Sequence, residues 1–88
     1  MNNQQRIEKM QTLLKDKLKT THLDIIDDSQ HHIGHAGAES GAGHFTVIIA
    51  SPLFVGKSRV TCHRLVYDAV GDMMQEDIHA LRIRVMPA

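Results

Sequence analysis

Gly43-His44-Phe45-Thr46-Val47-Ile48-Ile49-Ala50-Ser51 is the stretch from which the fold can be read. β-Branched and aromatic residues fill it, and Ser51-Pro52 closes it, which is the signature of a strand. Side chains alternate between the two faces of a strand, so Phe45, Val47 and Ile49 share one face and Thr46, Ile48 and Ala50 the other. Upstream, Leu23 to Ile26 is a short apolar run closed by Asp27-Asp28-Ser29 and reads as a second, brief strand. The segment from Ser29 to Gly43 carries Gly34, Gly37, Gly41 and Gly43 without apolar periodicity. It reads as a long loop, and loops of that length are usually functional or disordered. Two strands joined in this way form an antiparallel pair. Downstream, His79, Leu81, Ile83 and Val85 alternate with Ala80, Arg82 and Arg84 until Pro87 stops the third strand.

Helices account for the rest. Ile7, Met10, Leu14 and Leu18 recur at helical spacing and, at about 100° per residue, fall within an arc of roughly 80°, with Leu13 beside them. Glu8, Lys9, Gln11, Lys15 and Lys19 face outward, and the β-branched pair Thr20-Thr21 ends the run. Ser51-Pro52 can open a single helical turn that Gly56 breaks. Ser58 can then cap a longer helix reaching about Met74. Val66, Tyr67, Val70, Met73 and Met74 form its apolar face, with Cys62 and Ala69 at the margin. The predicted architecture is α+β, in the order α-β-β-α-α-β, with a three-stranded sheet covered on one face by helices. At 88 residues the chain is read as one domain, residues 1–88.

Composition narrows the function. Ten Lys+Arg balance ten Asp+Glu, which removes the usual electrostatic argument for nucleic acid, although a local basic patch survives such cancellation. No apolar run approaches a membrane span, and Met1 to Arg6 has no signal-peptide core, so a cytoplasmic protein without a membrane partner is expected. The lone Cys62 excludes an internal disulfide and reads as a packing residue rather than a nucleophile. Gly-x-Ser-x-Gly, a phosphate-binding glycine loop and His-Glu-x-x-His are all absent from the sequence, so no enzyme is expected.

Seven histidines remain, and imidazole is both a neutral-pH titrating group and a common ligand for borderline metals. His31, His32, His35 and His44 lie in or beside the glycine-rich stretch. His32 and His35 are free to move toward a metal there, whereas His44, at the start of a strand, reads equally as structural or as a peripheral ligand. His63 falls inside an apolar helical stripe and reads as a packed histidine. His79 is in phase with Leu81 but stands at the strand's first position, half-buried, where a ligand and a hydrogen-bonding role are equally open.

The ordered series Gly43 to Ser51, Phe54-Val55-Gly56-Lys57-Ser58, His63-Arg64-Leu65-Val66-Tyr67 and Ile78-His79-Ala80-Leu81 resembles the BolA-like family, from about Ile7 to Val85. Gly34-His35-Ala36-Gly37-Ala38 is similar to the branch of that family with histidine rather than cysteine in this loop. The resemblance implies a fold related to the type II KH domain. It also implies a non-enzymatic adaptor for iron–sulfur trafficking or iron signalling, whose partner is a monothiol glutaredoxin. The two proteins would share a [2Fe-2S] cluster, with thiolates from the glutaredoxin and from glutathione on one side. On the other side His79 matches the family's C-terminal histidine ligand, and His32 or His35 would supply the second.

Two other readings compete. Some BolA-like proteins are described as transcriptional regulators, and KH domains clamp nucleic-acid backbones with a Gly-x-x-Gly loop. The equivalent place here has one glycine, Gly56, but Lys57, Arg59 and Arg64 form a small basic group that could serve DNA. Cys62 stands where the family often has a basic residue, and Arg82 and Arg84 add charge on the last strand. An autonomous zinc site of His31, His32, His35 and His44 ranks third, since a glycine loop preorganises ligands poorly.

Overall fold

The structure is a computed structural model describing residues 2–28, 43–71 and 73–87, with the side chains of residues 75 and 76 excepted. The loop candidates His31, His32 and His35 therefore lie outside the described residues. The first helix, α1 (Asn3–Leu18), begins with a reciprocal cap. The Asn2 side chain accepts the Gln5 N–H at 2.8 Å, and the Gln5 side chain accepts the Asn2 N–H at 3.0 Å. It ends at Lys19, whose left-handed φ of 51° stops the helix before Thr20-Thr21 is reached. Met10, Leu14 and Leu18 are buried as their spacing requires, Ile7 is half-buried, and Arg6 is also buried.

Strand β1 (His22–Asp27) is one residue longer at each end than the apolar run that betrays it. It pairs antiparallel with β2 (Gly43–Ala50), setting Leu23 opposite Ile49 and Ile25 opposite Val47. Strand β3 (Ile78–Val85) lies parallel to β2, so the order is β1-β2-β3 and the strand quoted first is central. A parallel neighbour demands a crossover. A single 3₁₀ turn (Pro52–Phe54), α2 (Arg59–Val70) and α3 (Met73–Glu76) supply it. Phe45, Val47 and Ile49, each at most 1% exposed, meet the buried residues of α1 and α2 in the core, so one face of the sheet is covered. The opposite face carries Ile26, Thr46, Ile48, Arg82 and Arg84.

The crossover departs from the sequence reading in two ways. The long helix stops at Val70 rather than Met74, because Gly71 takes a positive φ of 28°, and Met73 starts a separate short helix. The buried face of α2 is Cys62, Val66, Ala69 and Val70, continued by Met73, whereas Tyr67 lies outside with its hydroxyl donating to the Leu81 carbonyl at 3.3 Å. A phenol that can reach a backbone acceptor at the sheet edge satisfies its polar end there and has no reason to enter the core.

Ser51 joins the layers. Fully buried, its Oγ donates to the Leu18 carbonyl at the end of α1 and accepts the Leu53 N–H at 3.1 Å. Ser51→Ala leaves a buried carbonyl and the turn's first N–H without this partner, and is expected to cost about 1–3 kcal/mol in a urea melt. Among the described residues no helix is long and apolar enough to cross a membrane.

Candidate functional site

The site is made by an irregularity between the parallel strands. Gly43 is paired with Ile78 and the next residue, His44, with Ala80, so His79 is an extra residue in β3. Such a bulge bends its strand and re-aims side chains away from strict alternation. His79 is accordingly exposed, not the half-buried ring expected from its phase with Leu81. Its imidazole lies against that of His44, with ring centroids 4.9 Å apart and planes inclined at 50°. His44 is 6% exposed. One imidazole open to solvent thus rests on a second, sheltered one, at the ends where β2 and β3 both begin.

The first turn of α1 anchors this corner. The Gly43 N–H donates to the Asp77 carbonyl at 3.0 Å, and the Asp77 N–H to the Met73 carbonyl at 2.9 Å. Arg6 Nε stands 3.6 Å from the Asp77 carboxylate, while its Nη1 donates to Asn3 Oδ1 at 2.7 Å. Asn3 Nδ2 in turn donates to Asp27 Oδ2 at 3.1 Å. One buried guanidinium therefore helps tie the end of β1 and the residues just before His79 to a single helix. Sequence reasoning passed over Arg6 although its signal was present: Arg6, Met10, Leu14 and Leu18 form one i, i+4 row.

Gly43 allows the close approach. A Cβ there would fall on the Phe45 ring and 3.0 Å from Asn3 Oδ1. Phe45 is 1% exposed and has nowhere to move. Gly43→Ala is expected to cost about 1–3 kcal/mol through overpacking, and to shift the His44 and His79 imidazole resonances in NMR spectra.

The other candidates separate from this pair. His22 Nε2 lies 3.0 Å from Asp24 Oδ2 on the surface of β1. His63 is not packed among the core residues of α2 but is half-buried, lining a cavity with Arg59, Ile83, Arg84 and Val85. Cys62 is buried, its Sγ 3.9 Å from the Phe54 carbonyl, as a packing residue should be. Lys57, Arg59 and Arg64 are all exposed. Lys57 and Arg59 line one cavity of about 360 Å³ with Phe54, Val85 and Met86, and Arg64 is not among its described lining residues. Of the four histidines weighed for zinc, only His44 is described, and no group of three or more metal-binding side chains occurs among the described residues.

Comparison with known proteins covers most of the chain. A family model described as BolA-like protein matches residues 14–88. UV-induced protein uvi31 of Schizosaccharomyces pombe is 40% identical over 87 residues, covering 94% of this chain and 82% of that protein. SufE-like protein 1 of Arabidopsis thaliana, chloroplastic/mitochondrial, is 40% identical over 75 residues, 80% of this chain but only 20% of that longer protein. The DNA-binding transcriptional regulator BolA of Escherichia coli is 29% identical over 76 residues, covering 86% of this chain and 70% of that one. Among solved structures, the BolA domain of SufE1 from Arabidopsis thaliana superposes with a TM-score of 0.82 at 35% identity, over 93% of this chain and 91% of that one.

Proposed function

The chain belongs to the BolA-like protein family, and from that membership we propose a cytoplasmic, non-catalytic adaptor that binds a monothiol glutaredoxin and shares a [2Fe-2S] cluster with it. The observation that supports this reading is the His79 bulge: an exposed imidazole held against a sheltered one on rigid strands. A ligand on a rigid element loses little entropy on coordination. Imidazole suits the iron of such clusters, where it replaces thiolate and raises the reduction potential. The cluster is cargo, brought on thiolates of the glutaredoxin and glutathione, and this chain contributes nitrogen. His79 is the first ligand, and His35 or His32 completes the set from the segment between β1 and β2. The described residues that flank that segment lie beside the pair: the Asp28 N–H donates to the His44 carbonyl at 2.7 Å, and Gly43 adjoins His44 in the chain. A neutral nitrogen donor releases iron more readily than a thiolate, which suits transfer and iron signalling rather than storage.

The test is a reconstitution. A monothiol glutaredoxin is loaded with cluster and glutathione, this chain is added, and visible circular dichroism is recorded. A new spectrum, distinct from that of the glutaredoxin alone, is expected; an unchanged spectrum removes the ligation reading.

A second reading draws on the name of the Escherichia coli relative and on Lys57 and Arg59 sharing one cavity at the start of α2. On it the chain grips DNA through a type II KH-like surface, with Arg64 alongside. Binding whose affinity falls steeply between 50 and 200 mM salt would support it.

A further inference from the structure

We infer that the open edge of β3, together with the stripe of α2 that faces it, docks an extended acidic segment of a partner protein as a fourth strand of the sheet. The inference does not depend on the cluster reading, since the groove lies toward the ends of β2 and β3 opposite the histidine pair.

Among the described residues β3 is the last strand of the sheet, and one of its sides has no described strand beside it. Which groups face that side follows from the ladder. The Met86 N–H donates to the Ile49 carbonyl at 2.8 Å, so Met86 points its backbone groups at β2. In a parallel ladder successive residues alternate between their two neighbours. Arg84 and Arg82 therefore also bond β2, while Val85, Ile83 and Leu81 turn N–H and C=O outward. The Tyr67 hydroxyl on the Leu81 carbonyl confirms the phase and closes the groove at that end. Beyond it, both backbone groups of Ile83 and of Val85 form a template for another strand.

The wall opposite is basic. Arg59, His63 and Tyr67 repeat every four residues along α2 and so share one face of that helix. Arg59 and His63 line a cavity of about 380 Å³ with Ile83, Arg84 and Val85. The neighbouring cavity of about 360 Å³ continues past Val85 to Met86 and Lys57. No aspartate or glutamate is among the described residues lining either one. Val55, 70% exposed, and Met86, 39% exposed, offer apolar footing at the open end. Alternating acidic and apolar side chains on an added strand match this arrangement. Single-stranded nucleic acid fits it less well, because such sites rely on exposed aromatic platforms. The described aromatic residues are Phe45 and Phe54, both buried, and Tyr67, whose hydroxyl is engaged at the edge.

The probe is a hexapeptide of alternating glutamate and valine, titrated into the ¹⁵N-labelled protein. The Ile83 and Val85 amides are expected to shift saturably and to gain protection from hydrogen exchange. Full N-methylation of the peptide is expected to abolish binding, because it can no longer donate to a ladder. Arg59→Glu is expected to weaken binding about tenfold. That variant keeps the fold, since an acidic residue in the first turn of a helix is favourable. Absence of shifts at Ile83 and Val85, equal binding of the N-methylated peptide, or equal binding of a lysine–valine peptide would each overturn the inference. So would a single-stranded DNA hexamer that shifts these amides when the acidic peptide does not.

Discussion

Replacing His79 with alanine is expected to abolish the change in visible circular dichroism that this chain imposes on a glutaredoxin-bound [2Fe-2S] cluster. Without that imidazole the described residue of the pair that remains is His44, which is only 6% exposed. The His79 side chain is exposed, so its loss changes stability by no more than about 0.5 kcal/mol and a lost signal is not a folding effect. His63→Ala is the matched control: it removes a half-buried histidine away from the pair and is expected to leave the spectrum intact. A full spectral change in the His79→Ala mixture would place the nitrogen donor elsewhere.

The largest effect on stability is expected at Phe45. Its ring is 1% exposed, packs over Gly43, and sits on the central strand between Asp27 of β1 and Leu81 of β3. Phe45→Ala leaves a cavity that neighbours on three elements cannot close, at a cost of about 3–5 kcal/mol. An 88-residue domain has a total stability of about 4–13 kcal/mol. The substitution therefore removes a large share of what holds the fold together. The melting temperature is expected to fall by more than about 12 °C. A loss below about 1 kcal/mol in denaturant melts would show that the core is not organised around this ring.

The strand elements were legible because their patterns are local. Phe45, Val47 and Ile49 alternate without interruption, and an alternating run has one consistent burial solution. The α1 stripe was equally plain, and helical spacing alone identified Met10, Leu14 and Leu18. What escaped was a glycine whose conformation the apolar pattern masks and a contact between groups distant in sequence. Gly71 ends α2 by adopting a positive φ, a choice that the apolar period running on through Met73 and Met74 conceals. Tyr67 looked like a core residue until its hydroxyl was seen to meet Leu81, 14 residues along the chain.

The candidate site was legible in its residue and not in its geometry. His79 stood out as a histidine at the rim of a strand, but its phase with Leu81 suggested a half-buried ring. The bulge that exposes it exists only in the pairing of β3 with β2. His44 left two roles open in the sequence, and only the 4.9 Å ring contact joins it to His79. Arg6 was hidden because a charged residue in an apolar row reads as its end. Its place becomes intelligible through Asp77, which is remote in sequence and adjacent in space.

Nitrogen ligation from this chain can be observed without recourse to mutants. The chain is grown with ¹⁵N-histidine, mixed with unlabelled cluster-loaded glutaredoxin and glutathione, reduced, and measured by pulsed electron paramagnetic resonance. Strong ¹⁵N couplings to the cluster spin are predicted, and they should disappear when the label is moved to the glutaredoxin. A mixed complex whose cluster shows no ¹⁵N coupling from this chain would contradict histidine ligation outright.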